Sequence, residues 1–171
     1  MKKIGLISDT HSYIDGEIIE FLNDVDEIWH AGDIGDEIVL DKLSSVKPVR
    51  AVFGNIDDTN IQKRTKHSLR FTVEGVDVFM IHIGGYPGKY SPEVQNEIKL
   101  APPNLFISGH SHILKIMFDK KNNLLHINPG AAGKYGWHKF ITAIKFEIDN
   151  ARIMNIQIFE KPRSHINKAD Q

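Results

Sequence analysis

Short apolar segments alternate with amphipathic segments along the first part of the chain. The apolar segments break off at polar residues, as buried strands do, and they predict strands over residues 4–7, 27–31 and 49–53. Between them, apolar positions recur at the spacing of one helix face, which predicts helices over residues 17–22 and 37–46. This alternation of strands and helices is typical of a parallel sheet with helical crossovers.

The pattern of the remaining residues favours antiparallel strands. Residues 57–67 are polar and predict a loop, and an irregular loop is expected over residues 84–88. A helix is predicted over residues 92–100, and strands over 69–73, 76–83, 103–107, 113–118, 124–127, 140–148 and 152–159. We therefore predict an α/β (α+β) fold, a two-sheet β-sandwich flanked by helices. Residues 1–171 are expected to form one domain, with a frayed tail from about residue 161.

Composition narrows the classes of function. The chain of 171 residues has 21 Lys and Arg against 22 Asp and Glu, so no long nucleic acid is expected as a partner. The absence of cysteine excludes disulfides, thiolate metal sites and cysteine nucleophiles. No apolar run approaches the roughly 20 residues that span a bilayer, so no membrane is expected as a partner and a cytoplasmic location is the default. Nine histidines are many for this length, and several of them directly follow predicted strands.

Five of the predicted strands are each followed by side chains that bind metals well. These side chains are carboxylates, amides or imidazoles, and the set is Asp9, His11, Asp33, Asn55, His82, His110 and His112. The carboxyl ends of parallel strands meet at one edge of a sheet, where ligands bind. Seven donors are too many for a single tetrahedral zinc ion. They suit two ions of about five or six ligands each that share a carboxylate.

Each part of this pattern has a simpler explanation when it is taken alone. Asp-x-His after a strand occurs by chance, Gly-Asp and Gly-Asn are common turn pairs, and His82 is compatible with a buried core histidine. The segment Gly109-His110-Ser111-His112 is a stronger signal. The combination indicates a metal centre, because suitable donors follow five separate predicted strands in one chain.

The order of these motifs resembles the calcineurin-like metallophosphoesterase superfamily, in particular its small bacterial and archaeal phosphodiesterase branch. The matching segments are Asp9-Thr10-His11, Gly32-Asp33, Gly54-Asn55, His82, Gly109-His110-Ser111-His112 and Asn128-Pro129-Gly130. A retromer scaffold subunit is related to the same branch. The resemblance implies the two-sheet sandwich and a dinuclear metal centre that hydrolyses phosphoesters.

The resemblance also implies how two divalent ions share the donors. The ligands of one ion would be Asp9, His11, Asp33 and His112, and those of the other Asp33, Asn55, His82 and His110. Asp33 would bridge the ions, and the second set would act in catalysis. A hydroxide shared by the ions would attack phosphorus. Manganese is the expected metal, while iron, zinc and nickel also suit a histidine-rich site without cysteine.

Two positions depart from the pattern of the superfamily. Gly54-Asn55 is usually followed by histidine, and in this branch often by cysteine, but here by Ile56, which cannot donate a proton. His82 is commonly followed by glycine, but here by Ile83. Protonation of the leaving group is then left to a water or to another histidine. We expect activated aryl phosphodiesters to be cleaved faster than alkyl ones, because weakly basic leaving groups need less help from an acid.

Several further residues are candidates for supporting roles. Asp57 keeps a carboxylate that could orient a neighbour. Asn128 is expected either to hydrogen-bond a ligand side chain or to form a plain turn. His138 is expected either to reach the phosphate or to be exposed on a loop. The others are His30, predicted to pack within its strand, Tyr86, Lys89 and Tyr90 at the substrate mouth, and His67, His126 and His165 as surface or strand residues.

The sequence favours a metal-dependent phosphoric ester hydrolase that acts on a small phosphoester, with diesters favoured over monoesters. The alternative is a weakly active or inactive interaction module on the same fold, which the departures at Ile56 and Ile83 favour. Against this alternative, seven polar side chains kept at strand ends without a ligand would carry a desolvation cost. The sequence leaves open whether the chain forms a homo-oligomer, which could pair through an edge strand or through residues 153–159.

Overall fold

The computed structural model describes residues 1–136 and 138–163, which form two five-stranded sheets around a shared core and one two-stranded sheet. The strands are β1 (Lys2–Ile7), β2 (Glu27–His30), β3 (Val49–Ala51), β4 (Ser68–Val73), β5 (Val76–Ile81), β6 (Gly85–Tyr86), β7 (Lys89–Tyr90), β8 (Leu105–Ile107), β9 (Leu114–Asp119), β10 (Leu124–Pro129), β11 (Phe140–Asp149) and β12 (Arg152–Pro162). The helices are α1 (Gly16–Phe21), α2 (Glu37–Val46), α3 (Thr59–Arg64) and α4 (Pro92–Leu100). The predicted two-sheet sandwich flanked by helices is confirmed.

Each large sheet contains three parallel strands. The first sheet has the order β12-β11-β1-β2-β3, in which β1, β2 and β3 run parallel, as the alternation of strands and helices predicted. The second sheet has the order β4-β5-β8-β10-β9, in which β5, β8 and β10 run parallel. The remaining neighbours within the two sheets pair antiparallel. The carboxyl ends of three strands therefore lie together at one edge of each sheet.

Three apolar clusters hold the layers together. One lies between the sheets and contains Trp29, whose ring packs edge-on against Phe71 and Phe146. A second lies between the first sheet and helices α1 and α2. In the third, Val94 and Ile98 of α4 cluster with residues of the second sheet. Each large apolar side chain that is fully buried stabilises the fold by about 1.5–3 kcal/mol, so the sheets form a firm base for the loops at their edges.

A side-chain cap begins each helix. Asp15, Asp36 and Asp58 accept hydrogen bonds from backbone N–H groups in the first turns of α1, α2 and α3. Ser91 caps α4, and Pro92 follows at the position where a missing N–H does no harm. None of the helices that the structure describes is long and apolar enough to cross a membrane.

Two segments predicted as loops contain short elements, so those predictions are wrong. Residues 57–67 contain α3, in which only Ile61 is buried, so no apolar stripe marks the helix in the sequence. Residues 84–88 contribute to the β6–β7 hairpin, where Gly85 and Gly88 adopt φ values of 74° and 90° that allow a tight turn. Neither element is long enough to produce the periodicity that reveals longer helices and strands.

The last strand extends further than predicted. β12 continues to Pro162, and Lys161 pairs with Ile141 of β11. The frayed tail predicted from about residue 161 falls mainly on residues 164–171, which lie outside the described residues, so it stays a prediction. Lys161 also reaches Asp15 in an ion pair of 3.0 Å. These contacts involve residues distant in sequence, which the polar composition of the segment does not reveal. His165 lies outside the described residues.

Candidate metal centre

The loops that follow the parallel strands of both sheets meet at one edge of the sandwich. Hydrogen bonds between these loops join the sheets there. His82 Nδ1 donates to the carbonyl oxygen of Ala31 at 2.7 Å, and the N–H of His110 donates to Asp9 Oδ2 at 3.1 Å. Within the first sheet, the N–H of Asp9 donates to the carbonyl oxygen of Gly32 at 2.9 Å. These contacts bring the predicted donors close together.

Six of the seven predicted donors form two compact groups. The first group is Asp9, His11 and His112, and the second is Asp33, His82 and His110. In each group the potential ligand atoms lie within 4.8 Å of one another. The seventh donor, Asn55, is exposed and lines a cavity of about 200 Å³ together with His82.

Asp33 lies between the two groups. Its Oδ2 is 3.6 Å from His11 Nε2 in the first group, and its Oδ1 is 3.2 Å from His82 Nε2 in its own group. Asp9 Oδ1 is 3.3 Å from His112 Nε2 and 4.0 Å from His82 Nε2. A carboxylate with one oxygen towards each group has the position that a bridging ligand needs.

Buried polar atoms without hydrogen bonds mark the same place. Among the described residues, three of the four such side-chain atoms are Asp9 Oδ1, His11 Nε2 and His82 Nε2. Nδ1 of His82 carries the proton that is donated to Ala31, so when the ring is neutral the lone pair is on Nε2, on the side of Asp33. An unsatisfied buried polar atom costs about 1–3 kcal/mol. Divalent ions would satisfy all three atoms, so this set of oxygen and imidazole donors fits them.

The electrostatics of the site favour a bound cation. Burial acts to raise the pKa of the Asp33 carboxyl, but the neighbouring His82 ring and the N–H of Ile56 lower it overall, so Asp33 is ionised. Burial acts to lower the pKa of His82, but the carboxylates of Asp33 and Asp9 raise it overall. The two buried carboxylates of Asp9 and Asp33 thus favour a positive charge in the site. A divalent ion brings more positive charge than a proton on His82 does.

The backbone of the site has an unusual conformation. Among the described residues, eleven non-glycine residues have positive φ, and six of them are Asp9, His11, Ser12, Asp33, His110 and His112, with φ between 46° and 66°. Such conformations cost about 1–3 kcal/mol each and persist only where the surrounding structure enforces them. Their concentration in the donor-bearing loops points to a functional site.

Residues 1–151 match the family model described as the calcineurin-like phosphoesterase superfamily domain. The chain belongs to this superfamily. A probable metallophosphoesterase of Methanothermobacter thermautotrophicus is 31% identical over 133 residues, which cover 75% of this chain and 76% of the relative. A probable metallophosphoesterase of Methanocaldococcus jannaschii is 31% identical over 139 residues, which cover 75% of this chain and 67% of the relative.

Solved structures with this fold include an archaeal phosphodiesterase and the protein Vps29. The phosphodiesterase has a TM-score of 0.67 at 21% identity, with 92% of this chain and 99% of that chain covered. Vps29 from Entamoeba histolytica, crystallised with Zn²⁺, has a TM-score of 0.73 at 15% identity, with 94% of this chain and 98% of that chain covered. At these identities the likeness establishes the fold alone. The superfamily is metal-dependent, and the two donor groups are the candidate ligands in this calcineurin-like phosphoesterase.

Apolar side chains surround one side of the centre. Ile56 is 44% exposed, and only its backbone contributes, through an N–H that donates to Asp33 Oδ1 at 3.1 Å. Ile83 is 47% exposed and lines the cavity shared by Asn55 and His82. The position after Gly54-Asn55 therefore supplies this phosphoesterase with a backbone contact and no proton donor.

Asp57 anchors the loops that carry Asp33 and Asn55. Its side chain is buried, and its two oxygens accept hydrogen bonds from the N–H groups of Gly35 and Gly54, both at 2.7 Å. The neighbour that this carboxylate orients is therefore backbone and not a side chain. The sequence carries no signal for these contacts, because both partners are glycines in separate loops.

Replacing Asp57 with asparagine is expected to lower the free energy of unfolding by about 2–3 kcal/mol, because a buried amide group would then face a backbone N–H donor. Urea unfolding of the metal-free protein measures the loss. The matched control is Asp58→Asn, since Asp58 caps α3 by accepting from Asn60 and Ile61, and asparagine caps helices as well as aspartate does. Equal stability of the two variants would contradict the anchoring role.

Asn128 orients the backbone of residues 109–112. Its amide donates to the carbonyl oxygen of Gly109 at 2.8 Å and to Ser111 Oγ at 3.1 Å, and its Oδ1 accepts from the N–H of Gly130 at 3.0 Å. The bond to Gly130 is the contact of the predicted turn, whereas the other two bonds go to Gly109 and Ser111 and not to the side chain of a proposed ligand. Asn128 instead holds the loop that bears two of the donors.

His138 forms a wall beside the centre. Its ring lies 5.3 Å from that of His112, and both line a cavity of about 340 Å³. Nε2 bonds the carbonyl oxygen of Gly133 at 3.1 Å, and Nδ1 bonds Arg163 Nη1 at 3.3 Å. Because both nitrogens have protein partners and the ring is half-buried, His138 is not the exposed loop histidine of the alternative prediction. Its contact with phosphate stays a prediction.

His30 connects the loops beneath the donors. It is fully buried in β2, and burial lowers its pKa to about 3, so the ring is neutral. The N–H of Gly32 donates to Nδ1 at 3.2 Å, and Nε2 donates to Thr10 Oγ1 at 2.9 Å. Thr10 in turn donates to the carbonyl oxygen of Ile34 at 3.0 Å. The predicted packed strand residue thus also ties two loops together, and Thr10, the middle residue of Asp-x-His, is a partner that the motif does not reveal.

The tyrosines of the β6–β7 hairpin contact β9, and the prediction that this segment lines the substrate mouth is wrong for Tyr90. The hydroxyl of Tyr90 donates to Asp119 at 2.7 Å, and Lys115 Nζ lies 3.6 Å from the centre of the Tyr86 ring. Tyr90 lines a separate cavity of about 690 Å³, whose walls include none of the seven donors.

Proposed function

We propose that this chain is a dinuclear-metal phosphoesterase that hydrolyses small phosphodiesters. The position of Asp33, with one oxygen towards each of two donor groups, is the observation that carries this proposal. The proposed ligands of one ion are Asp9, His11, Asp33 and His112, and those of the other are Asp33, Asn55, His82 and His110. When bound, the ions supply Lewis acidity, which activates a water and neutralises charge on the phosphoryl oxygens.

The residues around the donors keep them in position. The hydrogen bond from His82 Nδ1 to the Ala31 carbonyl sets the orientation of the ring, as such contacts do for metal-binding histidines. Asp57, His30 and Asn128 hold the backbone of the donor-bearing loops. Donors held in place before the substrate arrives need little rearrangement during the reaction, which makes electrostatic stabilisation more effective.

Two cavities beside the centre favour a diester. One of about 200 Å³ lies beside Asn55 and His82, and one of about 340 Å³ lies beside His110 and His112. A phosphodiester carries two organic groups, and each cavity can take one of them. A monoester would leave one cavity unused.

Metal removal followed by reconstitution tests the function. We expect protein treated with a chelator to be inactive, and Mn²⁺ to restore hydrolysis of bis(p-nitrophenyl) phosphate with two ions bound per chain. The diester should be hydrolysed faster than p-nitrophenyl phosphate. Absorbance of the released nitrophenolate and elemental analysis of the protein measure these outcomes. Faster hydrolysis of the monoester would contradict the preference for diesters.

The second candidate is a module that binds partners without catalysis, favoured by the apolar rim of Ile56 and Ile83 and by the fold shared with Vps29. A protein that binds two ions and hydrolyses neither nitrophenyl ester would support this candidate. The same measurements therefore separate the two functions.

A further inference from the structure

The cavity beside Asn55 contains a histidine that is not among the proposed metal ligands. Seven residues line this cavity, called the Asn55 cavity: Phe53, Gly54, Asn55, His67, Ile81, His82 and Ile83. Its polar side chains are those of Asn55, His67 and His82, and the first and last of these are proposed ligands. His67 is therefore the free polar group beside the centre, although the sequence predicts it only as a surface or strand residue.

The pairing of β4 with β5 explains why His67 lies there. The two strands run antiparallel with Ser68 opposite Ile81. Continued by one pair, this register places His67 across from His82, at the edge where the donor-bearing loops meet. Residues across from each other on neighbouring strands share one face of a sheet. The ring of His67 accordingly reaches the segment that follows β3 of the first sheet, where it packs against Phe53 with ring centroids 5.5 Å apart.

Glu93 holds one nitrogen of the His67 ring. His67 Nε2 lies 3.1 Å from Glu93 Oε2. Glu93 belongs to the first turn of α4, whose beginning is held by a hydrogen bond from the N–H of Ser91 to the carbonyl oxygen of Gly84 at 3.0 Å. Within residues 1–136 and 138–163, His67 hydrogen-bonds only through Nε2, so Nδ1 is available to a ligand. An imidazole oriented by a carboxylate, with its other nitrogen free, has the arrangement of a general acid.

We propose, on the basis of the function proposed above, that His67 protonates the leaving oxygen of the phosphoester and that Glu93 orients it. The bond between phosphorus and a water oxygen forms as the bond between phosphorus and the leaving oxygen breaks. The leaving oxygen keeps the electron pair of that bond and takes the proton from Nδ1 of the imidazolium. The attacking water releases a proton to solvent. His67, left neutral by the transfer, takes a proton back from solvent. His67 thus supplies the acid that Ile56 cannot.

The exposure of His67 and Glu93 is compatible with proton exchange with solvent and with substitution that leaves the fold intact. The side chains of His67 and Glu93 are 60% and 49% exposed, so solvent can return the proton between turnovers. Exposed ion pairs contribute little to stability. Substitutions at these positions should therefore leave the fold intact, and a change in rate can be assigned to the reaction.

Phosphodiesters with leaving groups of increasing basicity test the proposal. With the Mn²⁺-loaded protein, His67→Asn is expected to lower kcat/KM for a benzyl ester by about 10²-fold or more, the range of general acid catalysis. For a p-nitrophenyl ester the loss should be less than about 10-fold, because nitrophenolate leaves without a proton. Glu93→Gln should also lower kcat/KM more for the benzyl ester than for the p-nitrophenyl ester, but by a smaller factor than His67→Asn does. The bound metal should equal that of the wild type in both variants, since neither residue is a ligand.

Glu97→Gln is the matched control. It removes the same charge from the same helix, and Glu97 contacts Arg70 at 3.4 Å instead of the Asn55 cavity. This variant should keep the wild-type rates across the series. Equal losses for all leaving groups in His67→Asn, or no loss for the benzyl ester, would overturn the proposal, and so would a loss of bound metal. Wild-type protein that holds two ions and cleaves none of the esters would instead overturn the proposed function, and the role of His67 with it.

Discussion

The Asp33→Asn variant is expected to lose at least one bound ion per chain and to lower kcat/KM for bis(p-nitrophenyl) phosphate by roughly 10³-fold or more. Asparagine has nearly the same shape and can still accept the Ile56 N–H that reaches Asp33 Oδ1 at 3.1 Å, but it lacks the charge and the second oxygen. A metal ion contributes several kcal/mol to the stabilisation of the transition state, and each 1.4 kcal/mol, approximately, is a factor of ten in rate. Elemental analysis and the diester assay measure the two losses.

The control for this variant is Asp41→Asn, an identical change at an exposed carboxylate. Asp41 pairs with Arg64 on the surface at 2.6 Å and is 63% exposed, so the change should alter stability by less than about 0.5 kcal/mol and leave both metal content and activity as in the wild type. Wild-type occupancy and activity in Asp33→Asn would rule out a bridging role for Asp33.

The second large effect is expected from Gly54→Ala. A methyl group at Gly54 would collide with the carboxylate and the backbone nitrogen of Asp33. The collision is with the ligand proposed to bridge the ions, so we expect loss of bound metal and a fall in kcat/KM of about 10²-fold or more, comparable with a misplacement of catalytic groups by about 1 Å. Metal analysis and the diester assay again provide the measurements.

Gly16→Ala provides the matched control, because a methyl group at Gly16 meets nothing within 4 Å. Gly16 lies in the first turn of α1, where alanine favours the helix, so this variant should keep its metal and activity and be at least as stable as the wild type. If Gly54→Ala also kept its metal and its rate, the centre would tolerate a displaced Asp33 carboxylate. That result would contradict the bridging position proposed for Asp33.

The grouping of six proposed donors at one edge could be predicted from the sequence, because each of these residues follows a local pattern. An apolar strand that ends at a polar residue is visible in the chain itself, and parallel strands bring such ends to one edge. Asp9, Asp33 and His82 are found in this way. The same local logic predicts the three parallel strands of the first sheet and the hairpins that follow.

The supporting residues could not be predicted, because their roles depend on contacts between distant segments. Asp57 is an ordinary turn residue until Gly35 and Gly54 are placed beside its two oxygens. His67 follows a polar segment, and its place beside the centre depends on the register of β4 against β5 and on the start of α4. Short elements such as α3 bury a single apolar side chain and leave no periodicity.

Each of the two donor groups draws on both sheets. Asp9 and His11 follow β1 of the first sheet while His112 follows β8 of the second, and Asp33 follows β2 while its partners come from the second sheet. On the proposed function, each ion would be a cross-link that closes this edge of the sandwich. A cell short of the metal would then hold a protein that is inactive and whose two sheets separate more readily at this edge. Such opening exposes the backbone to proteases, so the supply of metal would set the lifetime of the protein as well as its activity.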